Sequence, residues 1–285
     1  MNPIVIPQRY TYIEAYLTFR CCFSCPWCMN KQGGISMKRE EMDATKWVLG
    51  LNRIESENDV PITIGGGEPT LHPDFYEIVN GLRAGLKIDL LTNLQFEPMN
   101  FIADISPRRF SRHEDAAHKS IRASYHPHAQ NPFELVHKAA ELQKAGFRIG
   151  LFGISHPQHL SDNTKMAEIC REREVYFFVK DFLGVHDGRD FGYYAYPESV
   201  DGVEKNCLCR TKELLIAPDG YTHRCHRDLY VDDFHIGHIC EDKYEFTDSF
   251  IPCNHYGTCS RCDTKAKLNR YLDDGNCSVE IKAVE

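Results

Sequence analysis

Cys21, Cys25 and Cys28 stand in a C-x3-C-x2-C spacing. Thiolates are soft metal ligands, and three on one tight loop can hold three irons of a four-iron cubane. The fourth iron then stays open for a ligand from outside the protein, as catalytic metal sites keep an open position. Cys22 offers a second reading of the same loop, because Cys22, Cys25 and Cys28 form C-x2-C-x2-C. Further along the chain lie Cys207, Cys209, Cys225, Cys240, Cys253, Cys259, Cys262 and Cys277. Between the first and third of these, Pro218-Asp219-Gly220 reads as a hairpin turn that folds Cys225 back beside Cys207 or Cys209. The C-x2-C pair Cys259 and Cys262 then completes four ligands, an arrangement that iron-sulfur sites and zinc ribbons share.

Thirteen cysteines in 285 residues are far more than so large a core needs for stability. The first ten residues hold no apolar run of signal-peptide length, and no stretch approaches the roughly 20 apolar residues that cross a bilayer. The reading is a cytoplasmic protein without a membrane span, in a compartment where disulfides are rare and clustered thiols serve metals or catalysis. A net charge of -8, from 33 basic and 41 acidic residues, gives no general attraction to phosphate backbones and speaks against nucleic acid as a partner.

The elements that must position these thiols follow from alternation. β-rich apolar runs at residues 12–19, 60–65, 88–92, 121–125, 147–154 and 175–179 alternate with helical patterns at 38–49, 73–84, 132–145 and 163–173. Residues 97–119 read as a short helix and a loop. Gly85 and Gly146 sit where left-handed helix caps are expected. Six βα units predict an α/β fold, a partial (β/α)6 TIM-like barrel over residues 1–200, with a small Cys-rich C-terminal domain over 201–285 whose helical pattern is confined to 264–272. The first cysteine group then falls directly after the first strand, at the end of a βα barrel where active-site loops gather. The other strand ends there carry Gly66-Gly67-Glu68, then Thr92 and Asn93, then Ser124, then the run from Gly150 to Ile154. His126 and His128, and Lys180 with Asp181, follow the fourth and sixth strands as candidates to bind or protonate a substrate.

With these residues in place the chain resembles the radical S-adenosylmethionine (radical SAM) superfamily, whose signature is the C-x3-C-x2-C spacing with an aromatic residue, here Trp27, before the last cysteine. The resemblance runs over roughly residues 10–180. It implies Cys21, Cys25 and Cys28 as ligands of a 4Fe-4S cluster, and Gly66, Gly67 and Glu68 as the motif that holds the amino group of S-adenosylmethionine. It further implies Trp27, Thr92, Asn93, Ser124, Gly150 and Ile154 around the rest of that cofactor. The tail resembles the auxiliary-cluster modules called twitch and SPASM, which implies a second 4Fe-4S cluster on Cys207, Cys225, Cys259 and Cys262. Its order Cys253-x5-Cys259-x2-Cys262 departs from the full SPASM pattern.

The resemblance implies reductive cleavage of S-adenosylmethionine to a 5′-deoxyadenosyl radical that takes a hydrogen atom from the substrate, with a flavodoxin or ferredoxin as electron donor. Cys209 and Cys253, left over from the auxiliary set, and His126 are the catalytic candidates; a spare thiol can return a hydrogen atom in an epimerisation, while a neighbouring cluster can accept an electron in an oxidation. With the barrel beginning near residue 10, the expectation is that no preceding domain grips a peptide leader. The expected substrate is therefore a small polar metabolite: a sugar, nucleotide sugar or aminocyclitol. Modification of a peptide or protein is the alternative, and a zinc-binding interaction module without catalysis is the reading from another class.

Overall fold

In the computed structural model of the chain, six apolar runs become six parallel strands: β1 Tyr12–Thr18, β2 Ile62–Gly66, β3 Ile88–Thr92, β4 Ile121–Ser124, β5 Ile149–Ile154 and β6 Tyr176–Lys180. The structure describes residues 1–32, 39–56, 60–110, 116, 118–246, 248–269 and 272–283. The strands lie side by side in chain order, as βα crossovers require. Their two faces differ in chemistry. Ile13, Ala15, Leu17, Ile62, Ile64, Ile88, Leu90, Ile121, Ala123, Ile149 and Leu151 belong to the main core. The alternate residues Tyr12, Glu14, Tyr16, Arg122, Phe178 and Lys180 line a cavity. Parallel strands buried on both faces are usually apolar throughout, so a polar inner face already marks an enclosed site.

Helices cover the apolar face: α1 Ala44–Leu51, α2 Phe75–Gly81, α3 Pro98–Asp104, α4 Pro132–Lys144 and α5 Leu160–Glu172. α1 starts later than its sequence pattern because the Asp43 side chain accepts the Lys46 backbone N–H at 2.9 Å, a cap that contributes about 1 kcal/mol. Residue 38, the expected start, lies outside the described residues. The third connection is helix α3 and a 3-10 turn at Pro107–Phe110; its residues 111–115 and 117 are also outside the description. Gly146 takes the left-handed conformation at φ 95°, as a C-terminal cap should. Gly85 does not, because α2 ends four residues earlier and Arg83 is tied to Asn52 and Ile54.

The tail does not stand apart from the barrel sheet. After β7 Lys205–Thr211, strand β8 Glu213–Ile216 pairs in parallel with β1, and β9 Tyr221–His223 and β10 His235–His238 extend that edge to a nine-stranded sheet. The Pro-Asp-Gly turn joins β8 to β9, with Gly220 at φ 86°. β7 is the centre of a second, antiparallel sheet between β11 Ile251–Tyr256 and β12 Val279–Ala283. The expected helix at 264–272 is absent among the described residues. One helical turn stops at Thr264, and Thr264, Lys265 and Ala266 bridge the tail to residues 193–195 beyond β6. The tail thus reaches from the β1 edge to the segment after β6 and walls the cavity between them.

Candidate radical and metal site

The cysteine loop begins where β1 ends. Thr18, fully buried, accepts the Arg20 backbone N–H at 3.0 Å, and Arg20 pairs with Glu41 at 2.8 Å. The loop then turns through Cys28 N–H donating to Cys25 C=O at 3.3 Å. The Cys25 thiol is buried, 3.3 Å from His126 Nδ1, while Asn93 Nδ2 donates to Cys22 Sγ at 3.1 Å and lies 3.8 Å from Cys21 Sγ. Burial, with Cys28 and Cys21 adding to it, pushes the Cys25 thiol up to about 11. Burial likewise raises Cys21, with Cys22, Glu68 and Cys28 contributing after the opposing Phe23 N–H. Thiols crowded in this way on one loop, with an amide and an imidazole at their sulfurs, suit a cationic metal group that takes them as thiolates.

The glycines of the second strand end serve the same loop. Gly67 N–H donates to Thr18 C=O and Glu68 N–H to Arg20 C=O, both at 2.8 Å. A Cβ on Gly66, at φ 143°, would sit 2.2 Å from the Thr18 carbonyl oxygen, and one on Gly67 would sit 2.3 Å from that of Arg20. No residue with a side chain fits so close an approach. Glu68 is 1% exposed: it accepts from Thr70 N–H (3.2 Å), Thr70 Oγ1 (2.7 Å), Thr92 Oγ1 (2.9 Å) and Asn93 N–H (2.6 Å). Burial raises its pKa against these four donors. Its carboxylate therefore fixes the third strand end beside the second.

Behind the loop lies a cavity of about 630 Å³ whose wall includes Trp27 and Asn30 from the loop side, Gly66, Ile154, and the charged groups Glu14, Arg122, Lys180 and Glu213. Asn30 Nδ2 donates to Gly66 C=O at 3.1 Å, joining the loop to the glycine turn. Trp27 stacks on His156 at 4.7 Å between ring centroids, with His159 at 4.8 Å and His128 at 5.1 Å. Ser124 ends β4 in register with Phe152. Gly150 is different: it lies near the start of β5, in register with Arg122 and Tyr176. A Cβ there would meet Tyr176 at 2.7 Å, so it serves packing at the end of the sheet remote from the cysteine loop. His126 faces Cys25, and burial with His128 lowers its pKa to about 4.

The tail thiols divide. Cys207 and Cys253 are cross-strand partners on β7 and β11, and with Cys209, Cys225 and Cys277 they form one buried group. Cys259 is within electrostatic reach of Cys253 and Cys207, and burial, then Asp263, pushes it up to about 12. Arg224, paired with Asp228 at 2.8 Å, supplies a positive charge to Cys225, Cys253 and Cys209. Cys277 donates to the Asp263 carbonyl at 2.9 Å. Cys262, read from the sequence as a ligand of this group, lines the barrel cavity. The next residue explains it: Asp263 is anchored inward by His226 N–H at 2.7 Å, His226 Nδ1 at 2.8 Å and Arg227 N–H at 3.2 Å. Cys209 and Cys253, the spare-thiol candidates, lie in the buried tail group rather than at the cavity. Sequence reasoning missed Glu14, Arg122, Glu213 and His226; alternation of polar residues in β1 and β4 was the available signal.

Residues 16–111 match the family described as the Radical SAM superfamily. The PqqA peptide cyclase of Gluconobacter oxydans (strain 621H) is 31% identical over 91 residues, 32% of this chain and 24% of that protein. Molybdenum cofactor biosynthesis protein 1 of Drosophila melanogaster is 36% identical over 78 residues, 27% of this chain and 14% of that protein. The chain thus spans a quarter or less of the length of these two relatives. Among solved structures, native anSMEcpe with bound AdoMet and Kp18Cys peptide superposes with a TM-score of 0.56 at 13% identity, covering 93% of this chain and 88% of that one. That likeness is one of fold. No helix among the described residues is long and apolar enough to cross a membrane.

Proposed function

We infer, from the match of residues 16–111 to the radical SAM superfamily, that this chain cleaves S-adenosylmethionine reductively and directs the radical at a peptide held in the cavity behind the cysteine loop. The observation that carries this is the shared wall: Trp27, Met29 and Asn30, next to Cys28, line the same cavity as Gly66, Ile154 and Lys180. The family's cofactors are a 4Fe-4S cluster and S-adenosylmethionine, which when bound supply the electron and the 5′-deoxyadenosyl radical. Cys21, Cys25 and Cys28 would hold three irons. The backbone of Gly66 and Gly67 would receive the amino group, and Thr92, Asn93, Ser124, Ile154 and Trp27 would border the remainder.

His126 orients the Cys25 thiolate, and Glu68 locks the turn that the glycines form. The tail wall, through Tyr230, Lys265 and Cys262, screens the cavity from water. Among the described residues Cys262 is the one cysteine on that wall, which makes it, in place of Cys209 or Cys253, the thiol placed to return a hydrogen atom to a substrate radical. The buried tail group around Cys207, Cys225, Cys253 and Cys259 is the site for a second 4Fe-4S cluster. A flavodoxin or ferredoxin is the fitting electron donor.

A peptide is preferred to the sugar, nucleotide sugar or aminocyclitol because a peptide cyclase stands among the relatives and a peptide-bound structure among the fold neighbours. One observation favours the small metabolite: the charged cavity is walled by both the barrel and the tail.

The test is anaerobic reconstitution with iron and sulfide, then measurement of iron and of 5′-deoxyadenosine after dithionite and S-adenosylmethionine, for wild type and a triple Cys21→Ala, Cys25→Ala, Cys28→Ala variant. Deoxyadenosine from wild type alone is expected, and its absence from wild type would end the reading. Stimulation by a peptide digest but not by a sugar and nucleotide-sugar panel would fix the substrate class, and the reverse would restore the metabolite.

A further inference from the structure

Among the described residues, the lysine and arginine side chains of the cavity wall are paired, with one exception, and so is His226. Arg122 Nη2 lies 3.2 Å from Asp89 Oδ2, Lys265 Nζ lies 3.8 Å from Asp181 Oδ2, and His226 Nδ1 lies 2.8 Å from Asp263 Oδ1 and 3.7 Å from Glu213 Oε2. The side chain of Lys180, the last residue of β6, makes no ion pair and no hydrogen bond with any described residue. Its Nζ lies over two aromatic rings instead, 4.1 Å from the Phe152 centroid and 5.8 Å from that of Phe178. Ring faces attract an ammonium but accept none of its three N–H bonds in the way an oxygen does. Burial, with Arg122 and Lys265 adding like charge, lowers the Lys180 pKa to about 7. Glu14, whose charge acts on Lys180, is already committed: Tyr16 donates to it at 3.0 Å, and Tyr12 hydrogen-bonds to it as well.

We propose that Lys180 binds a carboxylate of the substrate, either the C-terminal carboxylate of a peptide or an acidic side chain within it. A monoanion matches the single uncompensated ammonium. A dianionic phosphate would be held against Glu14 and Glu213 in the same cavity, a like-charge arrangement that costs binding. Lys180 pairs in register with Ile154, the end of β5, so the anchor sits at the strand-end rim of the barrel. A carboxylate fixed there would set how far the rest of the substrate reaches toward the loop that carries Cys28, and so which carbon is exposed to the radical. The proposal rests on the reading that this cavity is the substrate site, and binding is measurable apart from any chemistry.

The experiment uses the reconstituted protein with S-adenosylmethionine and four probes: N-acetyl-triglycine, N-acetyl-Gly-Glu-Gly-amide, N-acetyl-triglycinamide and inorganic phosphate. Calorimetry gives the affinities for wild type, Lys180→Arg and Lys180→Met. Protection of Lys180 from acylation in wild type, followed by peptide mass mapping, gives occupancy without any substitution. At least one carboxylate peptide should bind wild type about tenfold or more tighter than the neutral amide, as one charge-assisted contact allows. Lys180→Arg should keep that preference, Lys180→Met should lose it, and the same peptide should shield Lys180. Which of the two acidic peptides binds tells the C-terminal carboxylate from the side chain. Equal binding of amide and acid, no shielding by either acid, tighter binding of phosphate, or full shielding by S-adenosylmethionine alone would each overturn the assignment. If Lys180→Met fails to hold iron or fold, the shielding of wild type decides. Absence of deoxyadenosine would count against the radical reading and leave this binding result standing.

Discussion

The Nδ1 atom of His126 lies 3.3 Å from the Sγ of Cys25, so the loop after the fourth barrel strand reaches back to the cysteine loop after the first. Partners of this kind orient metal ligands, and their loss typically costs 10–100-fold in metal affinity. His126→Ala should therefore lose iron from the N-terminal site about tenfold faster to a chelator than wild type, with the tail iron unaffected. His126→Gln, which keeps a polar group near the thiol, should recover part of the difference. Identical iron release from His126→Ala and wild type would show that the contact has no bearing on the metal.

Glu68 gathers four donors on two oxygens. Glu68→Gln preserves size but turns an NH2 against either the Asn93 N–H or the three donors of Thr70 and Thr92. At least one buried donor is then left without an acceptor, which costs about 1–3 kcal/mol. Urea unfolding should show that loss, together with weaker binding of S-adenosylmethionine as Asn93 shifts. A midpoint within about 0.5 kcal/mol of wild type, the range of ordinary surface changes, would remove Glu68 from the list of residues that set this turn.

The six barrel strands were legible because each is a short β-rich run between helical patterns, and βα order leaves few topologies open. The pairing of Glu213–Ile216 with Tyr12–Thr18 was not, since nothing local in ELLI states which distant strand it joins. The hairpin turn at Pro218-Asp219-Gly220 was readable from its residue types, but not the sheet to which it belongs. At the site, cysteine spacing located the loop. It could not show the direction of each thiol, which in the tail depends on Asp263 being drawn inward by His226 and Arg227. Glu68 likewise carried no sign in the sequence that Thr92 and Asn93 would consume its carboxylate.

That division of the tail thiols yields a separable result. Cys207→Ser, Cys253→Ser and Cys259→Ser should each deplete iron from the tail, from about eight per chain toward four if both sites hold cubanes. Cys262→Ser should retain all of it, with an unchanged paramagnetic resonance signal, and should instead abolish uptake of deuterium from heavy water into a turned-over substrate. Loss of tail iron in Cys262→Ser would return this residue to the ligand set.

Histidine burial sets the pH response of the fold without its metals. Burial, with Arg39 for His223 and Arg122 for His118, lowers these two imidazoles to about 3 and about 4. Unfolded histidine titrates near 6.5. A depressed folded pKa means that the unfolded chain binds the extra protons. The stabilising contribution is therefore complete above about pH 6.5 and is lost as pH falls toward the folded values. Glu14, Glu68 and Asp228 are shifted upward by burial. They act in the opposite sense, from their unfolded values near 4 upward, so the histidine contribution is read by comparing variants with wild type. The His223→Gln and His118→Gln variants, less stable at pH 7.5, should lose less melting temperature than wild type as pH falls from about 6.5 to 5. Slopes equal to that of wild type would mean that these imidazoles gain protons in the folded state as readily as in the unfolded chain.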